Sequence, residues 1–87
     1  MPLVKDVTDV YQLEGAPIPI LVIKGSRHDN SYFFHVELQK NEQHEWVERL
    51  CYHISGHYNL YNTGTEQWDE VVQELLDHPK VRLHTLF

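Results

Sequence analysis

The chain is poor in residues that cross-link, punctuate or anchor. Its 87 residues include one cysteine, one methionine, four glycines and four prolines. A single cysteine forms no internal disulfide. That excludes the stapled framework of small secreted scaffolds, and a reducing, cytoplasmic setting is expected. Long apolar runs are missing as well. The longest, "IPILVI" from Ile18 to Ile23, falls far short of a membrane span, and "MPLVKDVTDV" lacks the cationic-then-apolar pattern of a leader. No membrane partner is expected. Cations are scarce too: seven Lys and Arg stand against 13 Asp and Glu, for a net charge of −6 at pH 7. A chain of that sign repels phosphate backbones, so nucleic acid is not an expected partner. Seven histidines qualify the charge, because protonating them all below about pH 6.5 would carry it through zero.

What is present suits one small globular domain spanning residues 1–87. Hydrophobic residues make up 41% and charged residues 23%, a folded rather than a disordered balance. Two tryptophans, five tyrosines and three phenylalanines supply large apolar area, which helps offset the ordering entropy of so short a chain. There is no internal repeat, low-complexity tract or linker.

Periodicity places the elements. In residues 1–14, Val7, Asp9, Tyr11 and Leu13 alternate as in a strand, while Leu3, Val7, Val10 and Tyr11 would also make a helical stripe; the valines and threonine favour the extended form. Glu14 to Pro17 is a turn. Ile18 to Lys24 reads as a strand buried on both faces, with Pro19 tolerated near its start. "SYFFHVELQ" alternates: Tyr32, Phe34, Val36 and Leu38 share one face, and Phe33, His35 and Glu37 the other. These two strands form an expected hairpin.

Trp46, Val47, Leu50, Cys51 and Ile54 fall at helical spacing, which predicts a helix over 41–55 with Gly56 as its stop. Tyr58 to Asn62 suits a short strand. Thr63 or Thr65 would cap a second helix, Thr63 and Glu66 having capping-box spacing. That helix carries the stripe Trp68, Val71, Val72, Leu75 and Leu76, and Pro79 prevents its continuation. Val81, Leu83 and Thr85 alternate as a closing strand. The expected class is α+β: a small two-layer sandwich, order (β)ββαβαβ, with a mixed four- to five-stranded sheet and two helices on one side. The uncovered sheet face would carry Phe33, His35 and tyrosines, inviting a partner or a second copy.

Each reactive group competes with a plainer reading. His53 and His57 are ligand types at i, i+4, but Gly56 between them breaks the helix. His44 and His53 would project from opposite sides, and Cys51 sits inside the apolar stripe. No metal site and no cofactor are expected. A nucleophilic cysteine needs a base within reach; His53 would face away from Cys51 on a helix, which leaves only a distant histidine such as His35 or His84. "KGSRHDN" gathers Lys24, Arg27 and His28 but lacks a glycine-rich phosphate fingerprint and a following helix. Every Asp and Glu falls on a polar face or in a loop, so no carboxylate pair is marked for acid–base work.

The acidic surface of the second helix is different in kind. Glu66, Asp69, Glu70, Glu74 and Asp77 lie opposite its apolar stripe, with no lysine or arginine between Glu66 and Asp77 to pair with them. Glu74 and Asp77 stand near the helix end, against its dipole. The expectation is a non-catalytic protein-binding module of the inhibitor, immunity, antitoxin or phage anti-defence type. It would dock a basic partner protein through these carboxylates, with Tyr58 and Tyr61 as anchors. The alternative is a homodimeric or assembly-subunit structural protein, and a histidine-based metal-binding protein or small enzyme stands behind both.

Overall fold

Alternation of period two governs the first half of the chain and continues further than the sequence suggests. The computed structural model describes residues 2–28, 33–54, 60–61 and 67–86, the pair 60–61 by its backbone alone. Four strands, β1 (Val4–Gln12), β2 (Ile20–Arg27), β3 (Phe33–Lys40) and β4 (Trp46–Ile54), form an antiparallel meander in which each pairs with the one before it. A two-residue strand, β5 (Leu60–Tyr61), pairs antiparallel with the end of β4. Two helices follow, α1 (Trp68–Asp77) and α2 (Pro79–Thr85).

The class is thus a small α+β fold, with two corrections to its order. The segment expected as a helix over 41–55 contains strand β4, and the expected closing strand over 81–86 is helix α2. The sheet is not mixed: every described pairing is antiparallel. The first segment takes the extended alternative. Its turn into β2 passes through Gly15 at φ +80°, a left-handed conformation that glycine adopts without strain. The β2–β3 hairpin is present, and Ile20, Leu21, Val22 and Ile23 are buried on both faces of β2.

One sheet face and both helices share the core. Val7, Leu21, Ile23, Phe34, Val36, Leu38 and Cys51 meet Trp68, Val71, Val72 and Leu75 of α1 and Val81 of α2. The α1 stripe has the spacing that buries one helix side. Its start differs from expectation: Gln67 precedes the first helical turn at φ 51°, ψ 37° with no side-chain cap, and the proposed caps Thr63 and Thr65 lie outside the described residues. At the other end Pro79 does two jobs. It stops α1 and opens α2, where its fixed φ and missing N–H suit the first turn. His78 sits between the helices, its N–H donating to the Leu75 carbonyl (3.1 Å) and its Nδ1 accepting from the Lys80 N–H (3.2 Å).

The helices also fasten the outer edge of β1. An open strand edge is a template for unwanted pairing. Here the Glu74 carboxylate accepts the N–H groups of Leu3 (2.7 Å) and Val4 (3.0 Å), while Lys80 Nζ donates to the Val7 carbonyl (3.0 Å). Register shifts between Val4 and Asp6 and between Val7 and Asp9 further break the regularity of that edge.

Candidate functional site

Two surfaces and one buried cluster gather the chemistry. The first surface is acidic. Asp69 and Glu70 stand exposed in the first turn of α1, where carboxylates complement the helix dipole, and Asp77 is exposed at its last residue. Glu48 of β4 joins Asp69 and Glu70 around a shallow depression floored by Gln67 and Trp68. Among the described residues, Asp69, Glu70 and Asp77 take part in no ion pair. Glu74 is not available in the same way, because its two oxygens are engaged by Leu3 and Val4. Tyr58 and Glu66 lie outside the described residues, and Tyr61 is placed only as backbone in β5.

Cys51 reports the field beside that surface. Burial pushes its thiol well above the ordinary range, and the neighbouring Glu48 and Asp69 push it further by charge, Glu48 also by hydrogen bonding. A thiol held protonated is a poor nucleophile. In the native chain, Cys51 should stay unlabelled by an aromatic disulfide reagent at mildly alkaline pH and react fully in denaturant. Stoichiometric labelling of the folded protein would contradict this. Of the distant bases considered from sequence, His35 does not reach it: His35 lies on the opposite face, one strand over and one register step away, while His84 stands in α2.

The second surface is the sheet face turned away from the helices. The register sets Asp9, Lys24, His35 and Tyr52 side by side on β1, β2, β3 and β4. Contacts join several side chains of this face. Lys24 Nζ stands 5.5 Å from the centroid of the Tyr11 ring, and the His35 and Tyr52 rings stack at 4.7 Å with planes 8° apart. His35 Nε2 lies 2.9 Å from Glu37 Oε2, and Arg49 Nε donates to Glu37 Oε1 at 3.2 Å. Burial raises the Tyr52 phenol, with the Glu37 charge adding to it. Phe33 is 57% exposed on this face. Alternation in "SYFFHVELQ" correctly placed Phe33, His35 and Glu37 together. It missed Arg49 and Tyr52 because β4 looked helical, and nothing in the spacing marked Tyr11 and Lys24 as their neighbours.

The buried cluster closes the end of the core. Arg27 is 2% exposed, its guanidinium carbon 5.2 Å from the Trp68 ring centroid and its Nη1 3.3 Å from His53 Nε2. Guanidinium only donates, so His53 Nε2 accepts in that contact. His53 in turn packs on Trp68 at 4.7 Å, tilted by 48°. Lys24 and Arg27 therefore point to opposite sheet faces and cannot cradle one anion. In a strand, Cys51 and His53 share a face, where a helix would have parted them. His44 sits in the β3–β4 turn, at the far end of β4 from His53, and His57 lies outside the described residues. Among the described residues no three His, Cys, Asp or Glu side chains converge to hold a metal ion, and no helix is long and apolar enough to cross a membrane. No protein-family model, curated protein or solved structure matches the chain.

Proposed function

We propose that the chain is a small non-catalytic protein-binding module that docks a basic partner protein through the acidic side of α1. The observation that carries this reading is the run of exposed, unpaired carboxylates at Asp69, Glu70 and Asp77, extended onto the sheet by Glu48. Charge of one sign steers encounter with a complementary surface, and tyrosines at Tyr58 and Tyr61 would lengthen residence. Glu66 belongs to the same proposed set. Glu74 leaves the docking set, since its carboxylate holds the start of β1. A buried Cys51 held protonated has no nucleophilic part in this reading. The setting would be the cytoplasm, and the module would serve as an inhibitor, immunity protein, antitoxin or anti-defence protein.

Affinity capture from the native host, with the parent and an Asp69→Lys, Glu70→Lys chain in parallel, tests it. The parent should enrich a basic protein that the reversed chain loses. The association rate of the purified pair should fall roughly tenfold or more. Both sites are exposed, and loss of their favourable placement in the first turn of α1 should lower stability by about 1–2 kcal/mol, which leaves the chain folded at the assay temperature. Equal capture by the two chains would sink the reading.

A further inference from the structure

We propose that the groove between β1 and α2 receives the carboxyl terminus of a partner protein, laid antiparallel along the open part of the β1 edge. The helices cap that edge only as far as Val7: Glu74 holds the N–H groups of Leu3 and Val4, and Lys80 Nζ donates to the Val7 carbonyl. Beyond Val7 the edge changes character. The Leu13 N–H donates inward, to the Ile20 carbonyl at 2.9 Å. Alternation along an antiparallel pair then turns the backbone of Tyr11 toward β2 and the backbones of Val10 and Gln12 outward. Among the described residues, nothing takes up the outward groups of Val10 and Gln12.

A groove of about 230 Å³ runs beside this edge. One wall is four consecutive residues of β1, Val7 to Val10, and the other is Lys80, Leu83 and His84 of α2. Neighbouring residues of a strand point to opposite faces, so a hollow on one face would be lined by alternate residues. Four in a row mean that the groove follows the strand's edge. Lys80, Leu83 and His84 are spaced i, i+3, i+4, which is one side of a helix. A strand edge facing a helix side admits an extended backbone, which pairs with the edge while alternate side chains enter the groove. The volume is below the roughly 300–1,000 Å³ of small-molecule sites and suits one apolar side chain.

Direction and charge select the occupant. β1 runs from Val4 to Gln12, so an antiparallel chain beside it travels from Gln12 toward Val7 and arrives at Lys80. There the capped backbone closes the edge, and only about three residues find pairing room. A chain that stops at this point presents its terminal carboxylate to the Lys80 ammonium, which keeps hydrogens to donate besides the one given to Val7. α2 carries Lys80, Arg82 and His84 and no carboxylate. Asp9 stands in the row with Lys24 on the opposite sheet face. A basic peptide would meet Lys80 with repulsion. An apolar last residue would cover Leu83, which is 69% exposed. This groove is opposite in sign to the acidic side of α1, so the inference goes beyond the docking reading and stands without it.

Two pools of N-acetylated random hexapeptides ending in Leu, Val, Ile or Phe test the inference, one with free carboxyl termini and one amidated. Added to the isotope-labelled full chain, the free-acid pool should shift the NMR signals of the Val10 and Gln12 amides and slow their hydrogen exchange. The amidated pool should bind roughly tenfold or more weakly. Leu83→Glu puts a carboxylate at an exposed position in the groove. It should keep the fold by circular dichroism and weaken the free-acid pool by a similar factor. Gln12→Pro removes one outward N–H while leaving the pairing to β2, and should weaken binding as well. Absence of any shift at about 1 mM peptide overturns the inference. So does equal binding of the two pools, or a folded Leu83→Glu chain that binds as the parent does. A parent that sediments as a dimer with Val10 and Gln12 already protected gives the edge to a second copy, and overturns it too.

Discussion

The Gly25→Ala chain should lose about 3 kcal/mol of stability and melt roughly 10–20 °C below the parent. Gly25 lies inside β2, opposite Val7 on one side and Phe34 on the other. A methyl group there would collide with the Asp6 carbonyl oxygen and come within 2.7 Å of the Phe34 ring. Phe34 is fully buried at the centre of the core, so its ring has nowhere to retreat. The backbone carbonyl is the nearer obstacle and moves only if β1 shifts. Reducing the ring should therefore fail to rescue: Gly25→Ala with Phe34→Leu should be no more stable than Gly25→Ala alone. A domain of this kind holds only about 5–15 kcal/mol in all. Thermal and urea melts of the three chains are the measurement. A single variant melting within a few degrees of the parent would show that β1 and β2 can separate at this point.

Trp68 carries the second large effect, and two replacements divide it. Trp68→Ala should cost about 4 kcal/mol, since the indole is 7% exposed and packs against Arg27, His53 and the core. Trp68→Phe should stay within about 1 kcal/mol of the parent. The Trp68 Nε1 hydrogen is buried without a hydrogen-bond partner. An orphaned donor of that sort is unfavourable by about 1–3 kcal/mol, and phenylalanine removes it. Phenylalanine also keeps an aromatic face toward the Arg27 guanidinium, though a weaker one. The smaller ring's lost packing and the relieved donor should nearly cancel. Urea melts again decide: a phenylalanine variant as unstable as alanine would mean that the indole N–H contributes to the fold.

How legible the fold was in the sequence depended on phase. "SYFFHVELQ" alternates without interruption, and β3 was visible at once. Trp68, Val71, Val72, Leu75 and Leu76 repeat at helical spacing, and α1 was equally plain. β4 misled because its register shifts beside Arg49, where Glu37 faces Leu50 and Leu38 faces Glu48. The extra residue changes the phase of alternation midway. Val47, Leu50, Tyr52 and Ile54 then fall three, two and two apart, and the combined apolar pattern of both faces imitates a helix. The share of Trp, Val, Tyr and Ile in this segment was the signal for a strand. In α2 the error ran the other way. Only Val81 is buried, so a short helix with one inward residue imitates alternation, and Pro79 both ends one helix and begins the next.

The candidate surfaces were legible to the same degree. Asp69, Glu70 and Asp77 follow from the α1 stripe alone, because the polar side of a helix is its complement. Glu74 belongs to the same side by spacing, and no periodicity foretold that it would reach two N–H groups 71 and 70 residues away in sequence. The row of Asp9, Lys24, His35 and Tyr52 draws one residue from each of four strands. Such a set exists only once every register is fixed, which a single-chain pattern does not supply.

The fastening of β1 by Glu74 and Lys80 has a consequence for the order of folding. β1 is synthesised first among the strands, yet the groups that cap its outer edge come from α1 and α2, after the whole sheet. During synthesis the meander can pair strand by strand through short connections, while that edge stays open until the helices emerge. Closing it requires contacts across most of the chain, the kind that slow folding and prolong exposure to neighbouring chains. Nascent chains arrested before residue 74 should thus expose a strand edge that the finished protein conceals, and a chaperone that recognises extended backbone would find its target in that interval.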